Sequence, residues 1–100
     1  MNNNVWLIIK EEDYYYDDKY YGVDVFETRE DAKRYFEDYV DILLYELETD
    51  YNDRKRETDW TFEEAIEIER KENYVSIYLD DCYNIFIEIE KKEVMKMGNN

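Results

Sequence analysis

Carboxylates and phenols are the reactive side chains that dominate this sequence. The 100 residues include 28 Asp and Glu and 12 Tyr, but no His and one Cys. Without His, neither a catalytic triad nor a Cys–His pair can form, and the usual acid–base group near neutral pH is missing. Two glycines cannot build a Gly-rich phosphate loop. A glycosidase-like carboxylate pair stays open in so acidic a chain, but we predict that the protein is not an enzyme.

Metal binding is the next chemistry that so many carboxylates suggest. The segment that starts at Asp50 opens like a calcium-binding EF-hand loop, with acidic or amide side chains at 50, 52 and 53. It then has Arg54 at a ligand position and Thr61 where the loop requires Glu. Zinc sites are built mainly from Cys and His ligands, of which the chain has one Cys and no His. The sequence predicts no metal site and no cofactor.

An acidic, tyrosine-rich segment is the first candidate interaction surface. Carboxylates that flank aromatic rings suit Arg and Lys side chains, which bind by ion pairs and cation–π contacts. Tyrosine also gives a large contact area at low entropic cost. The predicted partner-binding residues in this segment are Glu11, Glu12, Asp13, Tyr14, Tyr15, Tyr16, Asp17 and Asp18.

A row of carboxylates along a predicted helix is the second candidate surface. Glu37, Asp41 and Glu48 are four and seven residues apart and therefore share one helical stripe, with Asp38 beside them. Four residues of helix rise about 6 Å, which is close to the distance between successive phosphates of a DNA strand. The row is thus spaced to imitate a phosphate backbone, although an ordinary solvated helix face gives the same pattern.

The first half of the chain predicts two strands and a long helix. Val5–Lys10 is a continuous apolar run, typical of a strand buried on both faces or nearly so. A long loop should follow over 11–21, and a short strand over Val23–Phe26. Thr28 is a residue type that favours the N-cap position of a helix. An apolar stripe of about five turns follows, made of Ala32, Tyr35, Phe36, Tyr39, Val40, Leu43 and Leu47.

The second half predicts a short helix and two strands after a polar connection over 48–60. Thr61 and Glu64 form a capping box for a helix over 62–71, although Ile66 and Ile68 also alternate as in a strand. Strands are expected over 74–79 and 83–90. A connecting loop with an odd number of residues places their apolar side chains on one face.

The order β-β-α-α-β-β predicts one α+β domain over 1–100, with an antiparallel sheet of about four strands, one long helix and one short helix. Homodimerisation stays open.

The net charge of −15 constrains the partner. Nucleic acid and anionic membranes would be repelled, so we expect neither as a direct partner. A cationic partner is favoured, and basic surfaces are typical of nucleic-acid-binding proteins. One cysteine allows no internal disulfide, which fits the reducing cytoplasm. Acidity that serves solubility alone remains the alternative.

In size, acidity, tyrosine content and a composition rich in amino acids with AT-rich codons, the chain resembles small phage-encoded inhibitors of bacterial defence. These include anti-CRISPR proteins and other DNA mimics. The resemblance covers the whole chain and has no diagnostic motif. It implies a non-enzymatic inhibitor that occupies the nucleic-acid site of a basic host protein, such as a CRISPR effector or nuclease, in the host cytoplasm. An immunity protein against a basic toxin and a structural accessory subunit are the alternatives.

Overall fold

A computed structural model describes residues 3–14, 19–53, 60–79 and 83–94. Helices and strands account for most of them. In chain order they are β1 (Asn3–Tyr14), β2 (Tyr20–Phe26), α1 (Arg29–Asp53), α2 (Phe62–Ala65), β3 (Ile66–Arg70), β4 (Tyr74–Leu79) and β5 (Tyr83–Val94).

Within these residues the strands form one five-stranded antiparallel sheet, in the order β2-β1-β5-β4-β3. β1 and β5 pair over the full length from Asn3↔Val94 to Tyr14↔Tyr83 and form the centre of the sheet. β2 and β3 are the edges. The α+β class and the antiparallel sheet are confirmed, whereas the predicted number of four strands is wrong.

Helix α1 packs on one face of the sheet. Thr28 caps it, since its Oγ1 accepts a hydrogen bond from the Asp31 backbone N–H at 3.1 Å. The predicted apolar stripe supplies the buried residues Ala32, Phe36, Val40, Leu43 and Leu47. The helix runs further than expected and takes in 48–53 of the predicted polar connection over 48–60. Buried Tyr51 extends the stripe by one turn, and its hydroxyl donates to the Trp60 carbonyl at 2.7 Å.

The core lies between α1 and the central strands. Leu79 pairs with Tyr83 across the residues 80–82, so the connection has the predicted odd length. As expected from that register, the alternate residues of β4 and β5 share the buried face. Those with no exposed surface are Val75, Ile77, Leu79, Ile85 and Ile87. The structure of residues 80–82 lies outside the described ranges.

The predicted second helix is mostly a strand. The capping box of Thr61 and Glu64 forms, but α2 ends at Ala65 after one turn. The chain then continues as β3, in which Ile66 pairs with Leu79 and Ile68 with Ile77. The alternating isoleucines therefore outweigh the helical start, because they extend the apolar face of β4.

The expected length of β1 is also wrong. The segment 11–14 continues the strand instead of starting a loop, since β2 and β5 pair with it from both sides. Tyr20 and Tyr21 likewise belong to β2. In addition, β1 is covered on one face only: Ile8 is fully buried, whereas Leu7 and Ile9 on the other face are partly exposed.

Among the residues that the structure describes, no helix has both the length and the apolar character needed to cross a membrane.

Candidate functional site

The outer side of α1 carries the predicted row of carboxylates. Glu37, Asp38, Asp41 and Glu48 are all exposed. Because the buried stripe fixes the rotation of the helix against the sheet, these side chains point away from the core. Their separation along the helix is then the regular rise of an α-helix, about 1.5 Å per residue.

The charge of α1 is distributed very unevenly along the helix axis. Its cations lie at the start, at Arg29, Lys33 and Arg34, and the last turn has none. Every charged residue from 35 to 53 is acidic, namely Glu37, Asp38, Asp41, Glu46, Glu48, Asp50 and Asp53. Acidic side chains at a helix C-terminus oppose the helix dipole. The arrangement therefore costs stability and provides a strong negative potential.

One cation from elsewhere in the described chain compensates for part of this charge. Arg70 at the end of β3 lies 3.0 Å from Asp41, as Nη1 to Oδ1. Both side chains are exposed, so the pair contributes little to stability. It reduces the negative charge in the middle of the predicted row, and we expect Asp41 to be less available to a partner than Glu37 or Glu48.

Two exposed apolar residues on α1 were missed by the sequence analysis. Ile42 and Tyr45 are 59% and 71% exposed. They follow Asp38 at spacings of four and seven residues and so lie beside the carboxylate row. Both could have been identified from the sequence, because they are apolar residues of the helix that lie outside its apolar stripe. We call Glu37, Asp38, Asp41, Ile42, Tyr45 and Glu48 the acidic helix surface.

The other predicted surface is divided between the two faces of the sheet. Glu12 faces α1 and is buried, and its Oε2 accepts a hydrogen bond from the Tyr39 hydroxyl at 2.6 Å. Glu11 and Asp13 point to the opposite face because side chains alternate along a strand. The expectation that Glu12 belongs to an exposed loop is wrong. Tyr14 ends β1, and Tyr15, Tyr16, Asp17 and Asp18 lie outside the described residues.

Glu11 and Asp13 border a cleft of about 410 Å³ at the end of β1. Glu11 lies between Tyr21 on β2 and Phe86 on β5, its direct cross-strand neighbours. The remaining lining residues are Glu12, Lys19, Tyr20 and Asn84. A carboxylate between two aromatic rings suits a guanidinium or ammonium group. Because Glu12 and Tyr20 pair on the α1 side, the strand-end cleft takes side chains from both faces of the sheet.

A buried ammonium group under α1 was also unexpected. Lys10 is 5% exposed, and its Nζ lies 2.7 Å from Asp24 Oδ2 and 3.0 Å from the Tyr35 hydroxyl. The same atom lies 4.6 Å from the centre of the Tyr39 ring. Lys10 faces Gly22 on β2, where a Cβ atom would lie 2.7 Å from the Tyr20 hydroxyl. Gly22 therefore leaves the space that the Tyr20 ring occupies.

The charges of this buried cluster balance. Burial alone would lower the pKa of Lys10, but its hydrogen bonds with Asp24 and Tyr35 outweigh that effect and raise the pKa above its ordinary value. The Lys10 ammonium in turn lowers the pKa of Asp24. Both groups are charged at neutral pH, so neither is poised to exchange a proton there. The cluster positions the helix and the sheet edge.

The described surface thus offers carboxylates and aromatic rings, which are groups that can pair with cations. In the ranges given above, no group of three or more Cys, Asp or Glu side chains is placed to hold a metal ion. No protein-family model, curated protein or solved structure matches the chain.

Proposed function

We propose that the protein is a non-enzymatic inhibitor that binds the basic, nucleic-acid-binding surface of a host protein through the acidic helix surface. In this proposal the partner is a CRISPR effector or a nuclease, and the helix occupies the place of a nucleic-acid strand. The observation that carries the proposal is the one-sided charge of α1, where no cation follows Arg34 within the helix.

The placement of this charge supports binding over solubility. Solubility requires only a net charge, which carboxylates at any exposed position would supply. Here acidic residues extend to the negative end of the helix dipole, where they destabilise the fold. Carboxylates concentrated on one helix give a directional negative field, which steers a cationic partner to that side.

The exposed apolar groups support contact with a protein. Ile42 and Tyr45 lie beside the carboxylates, and Tyr is enriched where interfaces gain most of their energy. A partner groove lined by Arg and Lys would pair with the carboxylates, and the phenol ring of Tyr45 would pack on a guanidinium group.

Charge reversal on the helix tests the proposal. A Glu37→Lys/Asp41→Lys/Glu48→Lys variant should lose affinity for the partner. The control reverses three exposed carboxylates elsewhere, Glu27, Glu67 and Glu93, with the same change in net charge. The partner is captured from bacterial lysate with the wild-type protein. Its binding to labelled DNA is then measured in the presence of each variant.

We expect the wild type and the control variant to displace DNA and the helix variant to fail. The association rate should fall as added salt screens the charges. The proposal is overturned if the captured proteins are neutral or acidic and bind no nucleic acid. It is also overturned if both triple variants lose inhibition equally, because net charge alone would then explain the effect.

A further inference from the structure

The face of the sheet opposite α1 exposes a compact group of aliphatic side chains. Val23 and Val25 on β2 are 44% and 62% exposed. Leu7 pairs with Val25 and Ile9 with Val23, so these residues form two adjacent cross-strand pairs on one face. We call Leu7, Ile9, Val23 and Val25 the open-face patch.

The patch departs from the pattern of an ordinary solvated sheet face. An antiparallel sheet with one face in water normally alternates apolar and polar residues. β1 instead has apolar residues at every position from Val5 to Ile9. The two faces of β1 are not equally buried, because α1 packs on the other face within the described part of the chain. Clustered apolar residues on a surface mark an interaction site more often than scattered ones.

Carboxylates border the patch. On β5, Glu90 lies opposite Leu7 and Glu88 opposite Ile9. Glu11 follows Ile9 two residues later on the same face of β1. Lys92 is the cation on this face of β5, opposite Val5 at the far end. The patch is therefore apolar with a predominantly acidic border.

This border determines which occupant fits. A second copy of the chain would bring the carboxylates of both copies together, and each copy carries a net charge of −15. Like charges across an interface cost affinity. An apolar segment flanked by Lys and Arg would cover the aliphatic side chains of the patch, and its cations would pair with Glu88 and Glu90 at the same time.

We propose that the open-face patch binds an amphipathic, basic segment of a partner protein. The inference rests on the proposed function only in taking the partner to be cationic, since the surface lies across the sheet from the acidic helix surface. The partner then contacts two sides of the molecule: it pairs charges with α1 and buries apolar area on β1 and β2.

A synthetic amphipathic Leu/Lys helix is the probe, added to isotope-labelled protein and followed by NMR. Its control is the same peptide with Ser in place of every Leu. The first peptide should shift the methyl signals of Leu7, Ile9, Val23 and Val25, and the Ser peptide should not. If the two peptides shift the same signals, charge alone explains the contact and the inference is wrong.

Two variants of equal net charge locate the contact. Val23→Thr/Val25→Thr keeps β-branched side chains on the strand but removes exposed apolar surface. It should lower the affinity for the Leu/Lys peptide by about tenfold. Ile68→Thr makes the same kind of change at a residue that is 44% exposed on β3, at the other edge of the sheet, and should alter affinity by less than about twofold. The reverse result overturns the inference.

Sedimentation of the protein alone tests the competing occupant. We expect a monomer for the wild type. A dimer that Val23→Thr/Val25→Thr dissociates would show that a second copy covers the patch, and the inference would be wrong. The proposed function is judged separately, since it depends on DNA displacement and on the charge-reversal variants of α1.

Discussion

The two faces of β1 differ although they alternate along one strand. Ile8 faces α1 and has no exposed surface, while its neighbour Ile9 faces the other way and is partly exposed. The charged groups differ in the same way. Lys10 on the covered face has a carboxylate and three tyrosine rings around it, whereas Glu11 on the open face borders the strand-end cleft.

This difference separates the residues that hold the fold from those available to a partner. On the covered face, apolar area is removed from water and each buried charge has a compensating group, as stability requires. On the open face and on the outer side of α1, apolar groups stay in water beside carboxylates. We expect these positions to contribute little to folding, and we propose that they serve binding to the partner.

The largest expected effect tests this separation within a single strand. Ile8→Ala should destabilise the protein by about 2–5 kcal/mol, because it leaves a cavity between α1 and the sheet. Ile9→Ala makes the same chemical change on the open face and should cost well under half as much. Urea unfolding followed by circular dichroism measures both. Equal costs would show that the open face is also part of the stabilising core.

A smaller effect is expected for the buried ammonium. Lys10→Met should cost about 1–3 kcal/mol, since Asp24 and the Tyr35 hydroxyl lose their partner. Full loss of a buried pair would cost more, but the Asp24 side chain is 40% exposed, so its other oxygen can be hydrated although Oδ2 is buried. Lys92→Met, at an exposed site, should change stability by less than about 0.5 kcal/mol. A neutral Lys10→Met would mean that the cluster does not stabilise the covered face.

The covered face also predicts a dependence on pH. The pKa of Asp24 is lowered in the folded state, so its ion pair stabilises the fold above the unfolded pKa of about 3.9. That contribution is lost as the pH falls through the folded-state pKa. Asp24→Asn should therefore be less stable than the wild type at neutral pH, by about 1 kcal/mol or less because solvent screens the pair.

The stability difference between wild type and Asp24→Asn should shrink below about pH 4. Unfolding curves of both proteins between neutral and acid pH measure it. A difference that stays constant over this range would show that the Lys10–Asp24 pair contributes nothing through its charge.

The sequence predicted the elements with strong periodicity. The apolar stripe of α1 and the alternation in β4 and β5 each identify a buried face, and the odd loop follows from that face alone. The fold class follows from the order of these elements. Their lengths did not: α1 continues to Asp53 because buried Tyr51 gives it one more turn, which a mostly polar segment conceals.

Long-range pairing accounts for the remaining errors. The local sequence of Glu11–Tyr14 favours a loop, but pairing with β5 makes it a strand. The local sequence of β3 favours a helix, but the pairing of Ile66 with Leu79 makes it a strand. The sequence predicts Lys10 as the polar end of a strand, because no local pattern indicates that Asp24 and Tyr35 contact its ammonium group. Within the candidate site, the carboxylate row on α1 could be predicted from helical periodicity. The open-face patch could not, because its exposure depends on which face of the sheet α1 covers.

The smallest expected effect has the opposite sign. Asp53 ends α1 at the negative end of the dipole, and the last turn has no cation. Asp53→Lys should therefore stabilise the protein by about 0.3–1 kcal/mol. Thermal unfolding at low and high salt measures it, and the gain should fall as salt screens the dipole. A loss of stability at every salt concentration would show that the acidic end of α1 serves the fold, which removes the main argument that its charge is kept for a partner.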